Sequence, residues 1–179
     1  MIIAISGKIN SGKDTIGKII QKLCITNNAP NFEIKKFEDK LKLIDSILKG
    51  ISIEKFEDRD FKNTLLGSEW GVIKKNPLNS IPVFEDVDFN HLMSVREFLQ
   101  KLGTDAMRDN LHENVWVNAL FNDYKHQSTG KYYNNQKGKI LELPNWVITD
   151  LRFPNEAKAV KERNGLLIRV NRDKFKNTN

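Results

Sequence analysis

Two parts of the sequence carry residues whose types and spacing suit phosphate chemistry. Near the N-terminus, Gly7 is followed by four residues and then by Gly12 and Lys13, which gives the pattern G-x-x-x-x-G-K. Backbone N–H groups of such a loop face an anion, and the lysine adds positive charge toward the terminal phosphates of a nucleotide. Near the C-terminus, Asp150 and Arg152 place a carboxylate and a guanidinium two residues apart. The two parts together predict a nucleotide phosphate site with a second charged group nearby.

The residue after the loop lysine departs from the general motif. Ser or Thr usually stands there and its hydroxyl binds Mg²⁺, whereas this chain has Asp14 with Thr15 behind it. A carboxylate is also an oxygen ligand for Mg²⁺, directly or through water. Asp150 follows a second apolar run, where nucleotide-binding proteins of this kind place the carboxylate that orients the metal ion or its waters. We therefore predict that Asp14 and Asp150 lie near a Mg²⁺ ion beside the phosphates of a bound nucleotide.

Apolar patterning predicts the elements that position these groups. The β-branched run 2–5 reads as a buried strand, and a helix with apolar residues at helical spacing follows the loop: Ile16, Ile19, Ile20 and Leu23, with Cys24 beside them. Residues 146–149 form a second buried strand that ends at Asp150. A helix capped by Asn155 and a last strand over 166–170 follow, and Arg172 leaves the end of that strand. The alternation predicts an α/β fold with a mostly parallel central sheet flanked by helices, and ligands at the carboxyl edge of the strands.

The middle of the chain, about 51–143, reads as an insertion of helices and loops within a single domain spanning 1–179. Ser94 and Glu97 form a capping box that begins a helix, with Val95, Phe98, Leu99, Leu102 and Ala106 on its apolar face. The opposite face carries a polar residue every four positions, namely Arg96, Gln100, Thr104 and Arg108. This pattern fits either a solvated helix face or a ligand site. The polar segment 126–139 reads as a loop or weak hairpin that could close over a ligand as a lid.

Composition narrows the class of protein. The 179 residues carry a net charge of +6, spread along the chain, which suits a ligand with several phosphates and would also suit nucleic acid. Interleaved acidic residues argue against a dedicated DNA-binding face. The single cysteine excludes an intrachain disulfide and favours a reducing compartment, so we expect a cytoplasmic protein. No apolar segment is long enough to span a membrane, so we expect no membrane insertion.

Three blocks of the sequence, in order, resemble the bacteriophage deoxynucleoside monophosphate kinases: S-G-K-I-N-S-G-K-D-T, R-E-F-L-Q-K-L-G-T-D-A-M-R-D and D-L-R-F-P-N-E-A. The Asp after the loop lysine is shared with that family. The stretch Phe37–Lys42, F-E-D-K-L-K, resembles the family's F-A-D-P-L-K but lacks its proline and its small residue. The resemblance implies a P-loop NTPase fold with a helical acceptor-binding insertion. It also implies transfer of the ATP γ-phosphoryl group to a deoxynucleoside 5′-monophosphate. For a phage protein, this reaction would take place in the cytoplasm of the host cell.

The resemblance also implies roles for individual residues. Catalysis would fall to Lys13, Arg108, Asp150 and Arg152. ATP would be bound by Gly7, Asn10, Ser11, Gly12, Lys13, Asp14, Thr15 and Arg172. The acceptor would be bound by Lys8, Asp39, Lys42, Arg96, Gln100, Thr104, Arg108 and Trp116. No strong general base is required, because the acceptor is already an anionic phosphate.

Other interpretations remain open. A small-molecule kinase of the phosphomevalonate kinase type also has G-K-D after its loop. A nucleic-acid-associated ATPase is a different class, although the chain is short for a motor and Leu151 replaces a water-activating Glu after Asp150. A GTP switch is disfavoured because the sequence has no N-K-x-D motif. A homodimer is an open alternative to a monomer.

Overall fold

The structure, a computed structural model, describes residues 1–73, 87–132 and 139–171. It divides into two compact units. The sheet unit comprises Met1–Lys40 and Asn114–Asn179, and the second unit comprises Leu41–Glu113. Arg172 lies outside the described residues, so its predicted contact with ATP stays a prediction.

A four-stranded parallel sheet forms the centre of the sheet unit. Its strands are β1 (Ile2–Gly7), β2 (Glu33–Lys35), β7 (Trp146–Leu151) and β8 (Leu166–Val170), in the order β2-β7-β1-β8. All three neighbouring pairs run parallel. Every residue of β7 is buried, as expected of a parallel strand covered on both faces. The predicted α/β fold with a parallel central sheet is confirmed.

Helices cover both faces of this sheet. Helix α1 (Lys13–Thr26) packs Ile16, Ile20 and Cys24 against a cluster formed by Ile5, Phe32 and Val147. Helices α5 (Val115–Phe121) and α6 (Pro154–Lys161) contribute to the larger cluster on the opposite face, which includes Trp146 and Ile148. The same unit contains an antiparallel pair, β5 (Gln127–Tyr132) with β6 (Lys139–Glu142). The antiparallel pair agrees with the hairpin alternative, although its second strand begins only at Lys139, where the predicted segment ends. The role of this pair as a lid stays a prediction.

One prediction for the first helix is wrong in detail. Ile19 and Leu23 are 49% and 55% exposed and do not belong to the buried face. Fewer residues of α1 contact the sheet than the apolar pattern predicted. It follows the four-residue spacing of Ile16 and Ile20, with the buried Gly17 between them.

Short elements make up the second unit. Helix α2 (Asp39–Lys49) begins at the boundary and ends before Gly50, whose φ of 63° is the left-handed conformation typical of a helix end. Two 3₁₀ turns, Ile53–Glu57 and Ser68–Trp70, flank helix α3 (Arg59–Asn63). Strands β3 (Gly71–Ile73) and β4 (Val87–Leu92) form an antiparallel pair.

The helix predicted after Ser94 changes its winding halfway. The Ser94 hydroxyl accepts a hydrogen bond from Glu97 N at 3.1 Å, which confirms the predicted cap of α4 (Val95–Gln100). The chain then continues as a π-helix over Lys101–Asp109. A π-helix has more residues in each turn than an α-helix, so the four-residue spacing no longer holds one face. Ala106, predicted to be buried, is consequently exposed, and Gly103 is buried in its place.

Within the described ranges, no helix is both long and apolar enough to span a bilayer.

Candidate active site

The glycine-rich loop joins β1 to α1, as predicted. Its backbone takes left-handed conformations at Asn10 (φ 65°) and at Gly12 (φ 96°), which is the N-cap of the helix. Glycine brings no side chain to the first N–H groups of α1, which have no partner within the helix. Gly7 is needed for another reason, because a Cβ there would lie 2.6 Å from Ser11 Oγ and from the carbonyl oxygen of Val170. The loop is therefore closely packed at its start and offers N–H groups to an anion at its end.

The Lys13 ammonium lies across this loop. Lys13 Nζ donates to the carbonyl oxygens of Gly7 at 2.9 Å and Lys8 at 3.0 Å. Ser11 is buried, and its hydroxyl is aimed into the packed loop without a hydrogen-bond partner there. The Lys8 and Thr15 side chains lie at exposed positions on either side of the loop. The fold thus brings together all predicted ATP-binding residues from Gly7 to Thr15.

Asp14 connects the first turn of α1 to the end of β7. Its Oδ1 accepts a hydrogen bond from the hydroxyl of buried Thr149 at 2.7 Å and lies 3.8 Å from Lys36 Nζ. The Asp14 side chain is nonetheless 65% exposed. Its carboxylate is therefore oriented by the protein and accessible from the solvent. Thr149 and Lys36 were not predicted to belong to the site, although each stands at the carboxyl end of a strand.

Asp150 is buried beside the turn that follows β2. Its two oxygens accept hydrogen bonds from the backbone N–H groups of Phe37 at 2.9 Å and Glu38 at 3.1 Å. Burial, and secondarily the charge of Glu38, raise the pKa of the Asp150 carboxyl to about 7, against the opposing effect of the two N–H groups and Arg152. Asp150 therefore clamps the β2–α2 turn to the end of β7, and its predicted role at a metal ion stays a prediction.

Arg152 is held at both its backbone and its side chain. Its N–H donates to Glu156 Oε2 at 2.7 Å, and its Nη2 donates to Glu38 Oε2 at 2.9 Å. The same Glu156 oxygen accepts from Phe153 N at 2.9 Å and so caps α6. The prediction that Asn155 is the N-cap is wrong, because the N-cap is Phe153, two residues earlier, and the helix begins at Pro154. Proline is favoured at the first helical position, because an N–H group there would have no hydrogen-bond partner within the helix.

The predicted acceptor residues are distributed over both units. In the sheet unit, Asp39 Oδ2 accepts a hydrogen bond from Lys36 N at 2.9 Å, and Trp116 packs partly buried against the core. In the second unit, Lys42 is buried and forms an ion pair with Glu57.

The remaining acceptor candidates lie on the helix that follows Ser94. Arg96 and Gln100 stand at exposed positions of α4, whereas Thr104 and Arg108 stand on the π-helix and are half-buried. Arg96 Nε donates to Asn63 Oδ1 at 3.2 Å. Contact of these residues with an acceptor stays a prediction.

Glu38 is a further charged residue at this edge to which the sequence interpretation gave no role. It follows β2 by three residues and contacts Arg152 from a distance of 114 positions along the chain. Its place after a strand, at the carboxyl edge of the sheet, was the available signal.

Comparison with known proteins identifies the family of this chain. A sequence model of the family described as deoxynucleotide monophosphate kinase matches residues 73–179. The chain is also 25% identical over 205 residues to the deoxynucleoside-5′-monophosphate kinase of Escherichia phage T5, an alignment that covers 93% of this chain and 74% of the relative. The family model spans more than half of the chain, and the alignment with the phage relative covers most of it. This chain therefore belongs to the deoxynucleotide monophosphate kinase family of enzymes.

Proposed function

We propose that the chain transfers the γ-phosphoryl group of ATP to a deoxynucleoside 5′-monophosphate and releases the diphosphate. The observation that carries this proposal is the junction between the glycine-rich loop and the end of β7. The Thr149–Asp14 hydrogen bond of 2.7 Å ties the helix that begins at Lys13 to the strand that carries Asp150. The phosphate-binding loop and the second set of charged groups therefore share one edge of the sheet.

The loop supports binding of the ATP phosphates. Its N–H groups and the positive end of the α1 dipole favour an anion, and Gly7, Asn10, Ser11 and Gly12 allow the close backbone approach. Lys13 already spans the loop and adds a point charge for the terminal phosphates. Family membership supports ATP as the donor.

The oxygen donors at this edge also fit Mg²⁺. Mg²⁺ in kinases is commonly held by one or two carboxylates, by waters and by the substrate phosphates, so a cage of protein ligands is not required. Asp14 presents an exposed, oriented carboxylate, and Asp150 lies at the end of the neighbouring strand. When bound there, Mg²⁺ would offset negative charge on the phosphates during transfer.

The chain's own cations complete the proposed chemistry. Phosphoryl transfer requires two phosphates aligned for in-line displacement and a stabilised negative charge. In this proposal Lys13, Arg108 and Arg152 supply the positive charge that offsets the charge of the transferred group. In this proposal the acceptor is held by Lys8, Asp39, Lys42, Arg96, Gln100, Thr104, Arg108 and Trp116.

An assay with a panel of phosphorylated acceptors tests the function directly. With Mg-ATP, we expect phosphorylation of deoxynucleoside monophosphates, no transfer to phosphomevalonate and no stimulation of ATP hydrolysis by single-stranded DNA. Lys13→Ala should lower kcat by orders of magnitude without unfolding the protein, because its ammonium balances charge on the transferred group. Lys18→Ala, on an exposed position of the same helix, is the matched control. Near-normal turnover of Lys13→Ala would overturn the proposed role of the loop.

Two further expectations concern the surroundings of the protein. The phage relative supports a site of action in the host cytoplasm. Assembly as a homodimer is the alternative to a monomer, and sedimentation equilibrium would decide between them.

A further inference from the structure

Glu38 stands in the β2–α2 turn, at the position where the related pattern F-A-D-P-L-K has a small residue. Its side chain is 25% exposed, and its Oε2 accepts a hydrogen bond from Arg152 Nη2 at 2.9 Å. The contact joins the turn after β2 to the turn after β7. This chain therefore places a carboxylate against the arginine that the proposed function assigns to the reacting phosphates.

Both partners of this ion pair have fixed backbones. Glu38 N donates to Asp150 Oδ2 at 3.1 Å, and Arg152 N donates to Glu156 Oε2 at 2.7 Å. Asp150 and Glu156 are themselves buried. With both backbones held, the Glu38 carboxylate limits the directions that the guanidinium can take.

The contact with Glu38 leaves other N–H groups of the Arg152 guanidinium able to donate hydrogen bonds. A guanidinium has five N–H donors in a planar fork, and the structure joins one of its nitrogens to Glu38. The Arg152 side chain is 60% exposed, so other N–H groups are accessible from the solvent. An arginine held at one nitrogen in this way can still donate to a phosphate oxygen.

We propose that Glu38 is a positioning residue, which holds the Arg152 guanidinium so that its remaining N–H groups meet the transferring phosphoryl group. This inference rests on the proposed function, because that function places Arg152 at the reacting phosphates. An ion pair with an exposed arginine adds little to stability. Its effect on an oriented cation in the transition state is larger, since a small misplacement of a catalytic group slows the reaction strongly.

The chain offers a matched control for this test. Lys40, two residues after Glu38, forms an ion pair with Asp123 at 2.7 Å and has no proposed role in the site. It also replaces the proline of the related pattern. Lys40→Ala therefore breaks an exposed ion pair near the same turn without touching Arg152.

The experiment compares Glu38→Ala, Glu38→Gln, Arg152→Ala, the double variant Glu38→Ala/Arg152→Ala and Lys40→Ala. We expect Glu38→Ala to lower kcat about tenfold, with an unchanged KM for ATP and a melting temperature close to that of Lys40→Ala. Glu38→Gln should restore most of the turnover, because its amide oxygen can still accept from the guanidinium. In the Arg152→Ala background, Glu38→Ala should have no further effect.

The outcomes separate this inference from the proposed function. If Arg152→Ala lowers kcat and Glu38→Ala does not, the positioning role is overturned and the proposed function stands. The positioning role is also overturned if Glu38→Ala lowers kcat equally with and without Arg152. An increase in kcat/KM for the acceptor in Glu38→Ala would overturn it too, since Glu38 would then compete with the phosphate. Normal turnover of Arg152→Ala would instead contradict the role of Arg152 in the proposed function.

Discussion

Asp14 and Asp150 show how two carboxylates close to one strand end acquire different properties. Asp14 is exposed and accepts a side-chain hydroxyl, whereas Asp150 is buried and accepts two backbone N–H groups. Burial disfavours the charged form of Asp150, and its pKa rises from 3.8 to about 7. Asp14 is thus the carboxylate that a solvated metal ion can approach directly, and Asp150 is the one that organises the neighbouring turn.

The raised pKa of Asp150 predicts a pH dependence of stability. A carboxyl that binds its proton more tightly in the folded state loses stabilisation as the pH rises from about 4 to about 7. Asp150→Asn cannot titrate, so the wild-type advantage in unfolding free energy over this variant should shrink between pH 5 and pH 8. Denaturant unfolding of both proteins at each pH measures it, and other titrating groups largely cancel in the difference. A constant difference would show that the carboxyl does not titrate in this range.

At the scale of secondary structure, the close packing of α1 on β7 connects the glycine loop to the sheet. Gly17 is buried in this contact, and a Cβ there would lie 2.7 Å from Thr149 Cγ2. Thr149 also donates to Asp14. One short helix–strand distance thus sets both the position of α1 and the orientation of a candidate metal ligand.

The contact at Gly17 predicts a loss of stability on substitution and a second substitution that restores it. Gly17→Ala gains about 0.5–1 kcal/mol of helix preference but overpacks the contact at a cost of about 1–3 kcal/mol. We therefore expect a net loss of stability in denaturant unfolding. Thr149→Ser removes the methyl group that the new Cβ would meet and keeps the hydroxyl for Asp14, so it should recover most of the loss. An unchanged or raised stability of Gly17→Ala alone would contradict the close contact.

The helix that follows Ser94 has two interpretations, a solvated surface or an acceptor site, and they predict opposite effects of substitution on activity. If Arg96 and Arg108 contact the acceptor, replacing either by Ala removes a charge-assisted contact commonly worth about 1.5–3 kcal/mol. The kcat/KM for deoxynucleoside monophosphates should then fall about tenfold or more, with the KM for ATP much less affected. Arg108→Ala should also lower kcat, whereas Arg96→Ala should act mainly on binding.

The measurement uses all four deoxynucleoside monophosphates at saturating Mg-ATP. Lys101→Ala, at an exposed position of the same helix, is the matched control for loss of positive charge. Wild-type acceptor kinetics in both arginine variants would identify this helix as a solvated surface.

At the scale of the whole molecule, the net charge of +6 complements substrates that are all anions. Positive charge spread over a protein raises the encounter rate with anionic ligands, and dissolved salt screens it. Between about 0.1 M and about 1 M salt the screening length falls from about 10 Å to about 3 Å.

This long-range attraction predicts that the rate at which the protein encounters its anionic substrates falls as the salt concentration rises. The kcat/KM for the acceptor should fall by about tenfold over that range of NaCl. The kcat should change less, because charges in contact with bound substrate are screened less. Melting temperatures at both salt concentrations control for unfolding. A kcat/KM that does not depend on salt would exclude a contribution from the overall charge.

The sequence by itself determined the elements whose signals are local. A β-branched run, a glycine loop and helical spacing lie within the first 24 residues, so β1, the loop and α1 follow from neighbouring residues alone. The apolar strand that leads to Asp150 and the helix cap at Ser94 also follow from signals in neighbouring residues. The ordered resemblance to one enzyme family was also readable in the chain, because three short motifs occur in the family's order although most of the sequence differs from the phage relative.

Only the tertiary structure decided which of these elements meet and how each carboxylate is used. The Thr149–Asp14, Phe37–Asp150 and Arg152–Glu38 contacts join residues more than 110 positions apart. No periodic pattern encodes such pairs, because they depend on strand order and on the turns between strands. The π-helix over 101–109 is another example, since the sequence there carries an ordinary helical pattern and the winding appears only in the folded backbone. Patterns of neighbouring residues predicted where the charged groups stand, and packing between distant strands determined which of them are buried, paired or exposed.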